Sequence, residues 1–133
     1  MSHIQSLLVG LALAGALSGA QAQIVVIANP AVGPLTKEQV ADLFLGKSQA
    51  QTPIDQPDGS PVYADFYKKA TGRDPAQVKS IWSRLTFTGK AQPPKQLPDS
   101  AAVKKAVAAD PKGVGYIEKA AVDASVKAVL TLD

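Results

Sequence analysis

The stretch QPDGSPV, residues 56–62, combines a tight turn with the start of a helix. Asp58 and Gly59 form a typical turn dipeptide, Ser60 is a strong N-cap residue, and Pro61 occupies the first helical position, where an amide proton is dispensable. The free amides at such a helix end and the helix dipole both favour negative charge. The stretch therefore predicts an anion-binding turn, and it equally fits a helix that is simply well capped.

The composition argues against most catalytic chemistry. The chain has no cysteine and its one histidine is His3, so residues 23–133 offer no thiol nucleophile, no imidazole base and no ordinary zinc site. A hydrolase would use a Ser/Lys or carboxylate pair, with Ser60, Asp58 and Asp55 as candidates, but no recognisable motif positions a base for them. We therefore expect no enzyme activity, no cofactor and no metal site.

The charge pattern gives no sign of a nucleic-acid partner. The formal net charge is +3, from 14 basic and 11 acidic residues. The lysines are scattered among acidic residues and alanines, whereas nucleic-acid readers usually show a clustered basic face with aromatic platforms. We therefore expect no nucleic-acid partner.

Residues 1–22 have the pattern of a secretory signal peptide. Leu7 to Ala20 is an apolar run too short to span a bilayer, and Ala20-Gln21-Ala22 is a small-x-small cleavage site. The opening MSHIQS lacks Lys and Arg, which departs from the usual pattern. We expect cleavage before Gln23, a periplasmic or secreted protein, and no stable membrane insertion after cleavage.

Residues 23–133 form one small domain in which strand and helix patterns alternate. Continuous β-branched runs indicate buried strands, and Ser, Thr or Asp before an amphipathic stretch indicates a helix start. The predicted strands are Ile24–Ala28, Thr52–Asp55, Val114–Ile117 and Lys127–Leu130, and helices are predicted to begin near Thr36, Ser60, Asp74 and Ser100. The fold class is therefore α/β.

Trp82 is predicted to be a core residue, and the segment Gly89–Pro98 is predicted to be a loop. Val78, Ile81, Trp82 and Leu85 recur at helical spacing, which predicts that Trp82 belongs to the core rather than to a ligand platform. The polar, proline-rich Gly89–Pro98 segment is predicted to be a loop.

Four segments occur in an order and spacing that point to a known family. They are LTKEQVADLFLGK (35–47), IDQPDGSPVYADFY (54–67), Trp82 and GVGYIEKA (113–120). Together they resemble the periplasmic phosphate-binding proteins of ABC importers, and above all small secreted members described as phosphate transporter substrate-binding-like, which carry a stretch similar to Phe87–Pro94. The resemblance covers about Ile24 to Leu132. It implies a single lobe of a periplasmic-binding-protein-like fold, with a mixed sheet flanked by about four helices.

The resemblance also implies a ligand site and shows how this chain departs from it. The implied ligand-binding residues are Gln56, Asp58, Gly59, Ser60 and Val62. The family motif is R-x-D-G-S-G-T, in which the Arg pairs with the anion, the Asp accepts the proton of hydrogen phosphate, and Ser, Gly and Thr supply donors. Here Gln56 stands at the Arg position, Pro61 at the second Gly and Val62 at the Thr. A charge-assisted hydrogen bond contributes roughly 1.5–3 kcal/mol, so losing two or three predicts phosphate binding weaker by about a thousandfold or more.

Two further departures favour weak binding. Without the Arg, the retained Asp58 is expected to be unpaired and to repel an anion. The full-size family closes two lobes around phosphate, whereas this chain corresponds to little more than one.

Three functions remain open from the sequence. The chain is a solute-binding module for phosphate or another small anion, a non-catalytic envelope accessory domain with a decayed anion site, or the hydrolase considered above. The first implies a phosphate-like anion as ligand, and the resemblance implies an ABC transporter component or another envelope protein as partner.

Overall fold

The computed structural model describes residues 23–133, so the predicted signal peptide lies outside the described residues. Within them, five strands form one mixed sheet that is flanked by four α-helices. The strands are β1 (Ile24–Ala28), β2 (Thr52–Asp55), β3 (Lys95–Gln96), β4 (Gly113–Glu118) and β5 (Lys127–Leu132), and the helices are α1 (Lys37–Phe44), α2 (Pro61–Thr71), α3 (Pro75–Phe87) and α4 (Ser100–Ala109). The predicted α/β class and helix number are confirmed. Across residues 23–133, each helix is too short or too polar to cross a bilayer.

The sheet has the strand order β3-β2-β4-β1-β5. Strand β2 runs parallel to β3 and β4, whereas β1 runs antiparallel to β4 and β5. Ile24 and Val26 pack on one face with side chains from α1, α2 and α3, and Val25 and Ile27 pack on the other with side chains from α4. Because both faces are covered, β1 is apolar at every position, as the sequence pattern predicts.

The capping residues begin the helices where the sequence places them. Thr36 Oγ1 accepts the amide of Gln39 at 3.1 Å, and the Gln39 side chain accepts the amide of Thr36 at 2.8 Å. Asp74 and Gln77 form the same reciprocal pair at the start of α3. These bonds satisfy amides that the first helical turn leaves unpaired.

The Gly89–Pro98 segment differs from its prediction as a loop, because it contains the short strand β3. Lys95 and Gln96 pair in parallel with Ile54 and Asp55 of β2. Both β3 side chains are exposed, so the strand carries no apolar pattern that the sequence could reveal. The pairing brings Gln96 beside the turn that follows β2.

Gly46 ends α1 in a conformation that brings the following chain against α3. Its φ is +79°, and a Cβ there would lie 2.5 Å from Leu85 Cδ1 and 3.0 Å from the ring of Trp82. Gly72 has a similar φ of +75°, but a Cβ added there would have no neighbouring atom within 4 Å. Gly46 therefore carries both a backbone requirement and a packing requirement.

We expect Gly46→Ala to be more destabilising than Gly72→Ala. Both changes place a Cβ on left-handed backbone, which lowers the free energy of unfolding by about 1–2 kcal/mol. Only Gly46→Ala also overpacks its surroundings, which lowers it by a further amount of about 1–3 kcal/mol. Urea denaturation of both variants measures the difference. Equal losses of unfolding free energy would contradict the close approach of the Gly46 turn to α3.

Candidate functional site

The turn between β2 and α2 has the predicted cap geometry. Ser60 is extended, with φ −86° and ψ 148°, and its Oγ accepts the amide of Tyr63 at 3.3 Å. The same hydroxyl donates to the Pro57 carbonyl at 2.6 Å. Pro61 follows as the first helical residue. Because the Ser60 hydroxyl makes one cap bond and one bond within the turn, it is already engaged.

Gln56 points into the fold rather than toward the turn's surface. Its side chain is buried, and Nε2 donates to Ser100 Oγ and to the Tyr116 carbonyl, each at 3.0 Å. These bonds tie the end of β2 to α4 and β4. The structure thus brings Asp58, Gly59 and Ser60 together on the turn and places the Gln56 amide elsewhere.

Val62 also faces inward. Its side chain is half-buried and packs against the core cluster on the α1–α3 face of the sheet. Its backbone amide lies in the first turn of α2, where helical amides lack an intrahelical acceptor. Any contribution of Val62 to an anion contact would therefore come from its main chain.

Asp58 has a cationic neighbour that no sequence pattern indicates. Lys79 Nζ of α3 lies 3.3 Å from Asp58 Oδ2, with the two side chains 64% and 42% exposed. The expectation of an unpaired Asp58 is therefore wrong. Lys79 lies 21 positions along the chain in a separate helix, so only the packing of α3 beside the turn reveals the pair.

Asp55 is the most buried carboxylate near the turn, and two tyrosines hold it. Tyr67 donates its hydroxyl to Asp55 Oδ2 at 2.7 Å, and Tyr116 donates to Asp55 Oδ1. The Tyr116 ring stacks on Phe66 with centroids 3.8 Å apart, which fixes the direction of its hydroxyl. Sequence reasoning gave Asp55 only as a hydrolase candidate and missed this cluster.

Burial governs the protonation of this cluster. It raises the pKa of Asp55 to about 6, although the hydrogen bonds from Tyr116 and Tyr67 act in the opposite direction. Burial beside this carboxylate also raises the pKa of Tyr67 and of Tyr116. The tyrosines therefore remain neutral hydrogen-bond donors at physiological pH.

A cleft of about 510 Å³, here called the turn cleft, opens beside Asp58. Its polar wall includes Asp58 and Lys79, with Asp55 at its floor. Its apolar wall combines Trp82 with Phe87, Pro93, Pro94 and Tyr63. The volume lies within the usual range for small-molecule sites.

The turn cleft offers few groups for catalysis or metal binding. Across residues 23–133, no group of three or more His, Cys, Asp or Glu side chains is placed to hold a metal ion. The groups suited to an anion are the first-turn amides of α2 and the ammonium of Lys79. The first-turn amides of α2 and the Lys79 ammonium can thus contact one face of a small anion. Asp58 competes with that anion for Lys79.

Comparisons with known proteins identify the fold. No family model matches the sequence, and no curated protein is detectably similar to it. An ABC-type phosphate transport receptor from Vibrio cholerae superposes with a TM-score of 0.61 at 19% identity, covering 81% of this chain and 45% of the receptor. A phosphate ABC transporter substrate-binding protein from Clostridium perfringens, solved with bound phosphate, gives 0.60 at 22% identity, covering 81% and 44%.

The chain thus spans a little under half the length of these two receptors. The likeness at this level of identity concerns the fold, and it agrees with the mixed sheet and four helices described above. Residues 23–133 therefore have the fold of a single lobe of a phosphate ABC transporter substrate-binding protein.

Proposed function

We propose that this chain is an exported, non-catalytic binding module of the phosphate-receptor type, which takes a phosphate-like anion weakly at the start of α2. The observation that carries the proposal is the capped N-terminus of α2, which follows closely after Asp58, with the Asp58–Lys79 pair in the wall of the turn cleft, in a fold shared with phosphate receptors. An ABC transporter component is the partner that this type of module implies.

The proposed contact uses backbone groups and one cation. The amides of Gly59 and Val62 and the Lys79 ammonium would contact the anion, and Ser60 would hold the turn through its bonds to Pro57 and Tyr63. The Gln56 side chain would not contact the anion directly, because it donates to Ser100 and to the Tyr116 carbonyl. Pro61 supplies no amide and Asp58 shares Lys79. The site also lies in an open cleft, where the high effective dielectric weakens each contact.

Phosphate is therefore expected to bind with a dissociation constant weaker than about 10 µM, less than roughly 7 kcal/mol of binding free energy. Lys79→Gln should weaken it by about tenfold, because it removes the cation and leaves Asp58 unpaired. Lys68→Gln is the matched control, since Lys68 is exposed near the other end of α2. Calorimetry of the three proteins at low ionic strength gives the affinities.

Two outcomes would contradict this assignment. Submicromolar binding would show that the turn has donors that we have not counted. Equal affinities for Lys79→Gln and Lys68→Gln would mean that phosphate binds away from Asp58.

A second candidate is an envelope interaction domain in which the anion site no longer functions. It is favoured by Phe87, which is 92% exposed on the wall of the turn cleft near Pro93 and Pro94. Together with the two prolines it forms an exposed apolar patch, and such patches occur at protein contact surfaces. At about 10 mM phosphate, a binding free energy of only about 3 kcal/mol would still give detectable binding. If the wild-type protein bound no phosphate at this concentration, the result would favour this candidate.

In this proposal residues 1–22 act as a signal peptide that directs export. Cleavage after Ala22 would leave a mature chain that begins with Gln23. The intact mass of the protein recovered from the envelope space tests this, and a membrane-bound species that retains residues 1–22 would contradict it.

A further inference from the structure

A second cleft lies on the other side of α3. It has a volume of about 460 Å³, and its α3 wall includes Gln77, Ser80 and Arg84. These positions average about a third of a helical turn around α3 from Lys79 and Ser83, which line the turn cleft, and no residue lines both clefts. The two clefts are therefore separate, and α3 forms a wall of each.

Three cationic side chains line this second cleft, here called the basic cleft. Lys47 comes from the turn after α1, Arg73 from the α2–α3 connection, and Arg84 from α3. No Asp or Glu lines it. Over residues 23–133 the salt bridges involve Lys79 and Lys104 instead, so these three cations have no carboxylate within 4.0 Å.

One nitrogen atom of Arg73 lacks a hydrogen-bond acceptor. Within the described part of the chain, its Nε is the buried side-chain atom that has no hydrogen-bond partner. A buried donor without an acceptor is unfavourable, and ordinary surface arginines avoid this by remaining hydrated. Arg73 Nε thus lies in the cleft wall without an acceptor, although the residue as a whole is half-buried.

Gly46 fixes the geometry that gathers the cations. Its positive φ and its close approach to Leu85 and Trp82 bring the Lys47 turn against the α3 surface that carries Arg84. Like charges brought together repel one another unless a counter-charge is present. An anion with several acidic groups would relieve this repulsion and supply oxygen acceptors.

We propose that the basic cleft binds a small polyanion with two or more carboxylate or phosphate groups. Its volume suits a molecule of that size. Its three cations match two or three negative charges, and Gln77 and Ser80 can add neutral hydrogen bonds. The turn cleft, where Asp58 neutralises Lys79, lacks this charge excess.

Citrate and pyrophosphate are suitable probes because they separate the carboxylate source of this chemistry from the phosphate source. Each is titrated into 15N-labelled residues 23–133 and followed by backbone amide shifts. We expect at least one probe to move the amides of Lys47, Gln77 and Ser80 before those of Gly59 and Val62. The probe that binds more tightly identifies the acidic group that the cleft prefers.

The double variant Lys47→Gln/Arg84→Gln tests the role of the cations. Both side chains are exposed, so the fold should persist, which thermal melts check. We expect affinity to fall at least tenfold, whereas Lys105→Gln/Lys112→Gln, which removes the same charge from exposed positions outside the cleft, should change it by less than about twofold. Equal losses in the two variants, shifts confined to the α2 turn, or no shift with either probe would each overturn the proposal.

Discussion

Replacing Trp82 with alanine is expected to lower the free energy of unfolding by about 3–5 kcal/mol, the usual range for removing a large aromatic side chain from a core. Trp82 is only 8% exposed, and its Nε1 donates to the Phe44 carbonyl at 3.0 Å. The ring therefore joins α3 to the end of α1 through both packing and a hydrogen bond. Urea denaturation followed by far-ultraviolet circular dichroism measures the loss.

Trp82→Phe separates the two contributions. It keeps much of the apolar contact and removes the bond to the Phe44 carbonyl, so we expect a loss of only about 1–2 kcal/mol. If Trp82→Ala instead cost less than about 1 kcal/mol, Trp82 would not belong to the core. Because α3 carries Lys79 and Arg84 on opposite sides, a loosened α3 should weaken ligand binding in both clefts.

Asp55 is expected to make the fold less stable as the pH rises from about 4 to above 6. Its carboxyl has a pKa of about 6 in the fold and an ordinary value of 3.8. Between these values the folded state keeps a proton that the unfolded state has released, so stability falls with increasing pH. The difference corresponds to about 3 kcal/mol once both states are ionised.

Asp55→Asn tests this linkage, because asparagine cannot ionise and can still accept the hydroxyl of Tyr67 or Tyr116. The neighbouring groups Tyr63 and Asp58 are unchanged in the variant. We expect the unfolding free energy of the variant, relative to wild type, to rise by up to about 3 kcal/mol between pH 4 and pH 7. A difference that stays constant over this range would mean that Asp55 titrates in the fold as it does in the unfolded chain.

The local parts of the fold follow from the sequence because neighbouring residues determine them. The capping residues Thr36, Ser60 and Asp74 lie within three positions of the amides that they satisfy, and the apolar run of β1 requires only that both faces be covered. Helical spacing alone predicts that Trp82 belongs to the core, and it is buried. The β3 strand is not predictable in this way, because two exposed residues carry no periodic pattern.

The arrangement of the candidate site depends on contacts between distant residues. Asp55 meets Tyr116 across 61 positions, and the Gln56 side chain reaches Ser100 across 44. A motif comparison aligns Gln56 with a ligand-binding Arg, but the direction of its side chain depends on the packing of α4 against the sheet. The Lys79 contact and the basic cleft likewise arise only when α3 is placed.

The location of phosphate binding tests the central claim most directly. In a phosphate titration of 15N-labelled residues 23–133, we predict that the amides of Gly59, Ser60 and Val62 shift most, with a dissociation constant weaker than about 10 µM. Saturation at submicromolar phosphate would contradict the account, as would the largest shifts falling away from the start of α2.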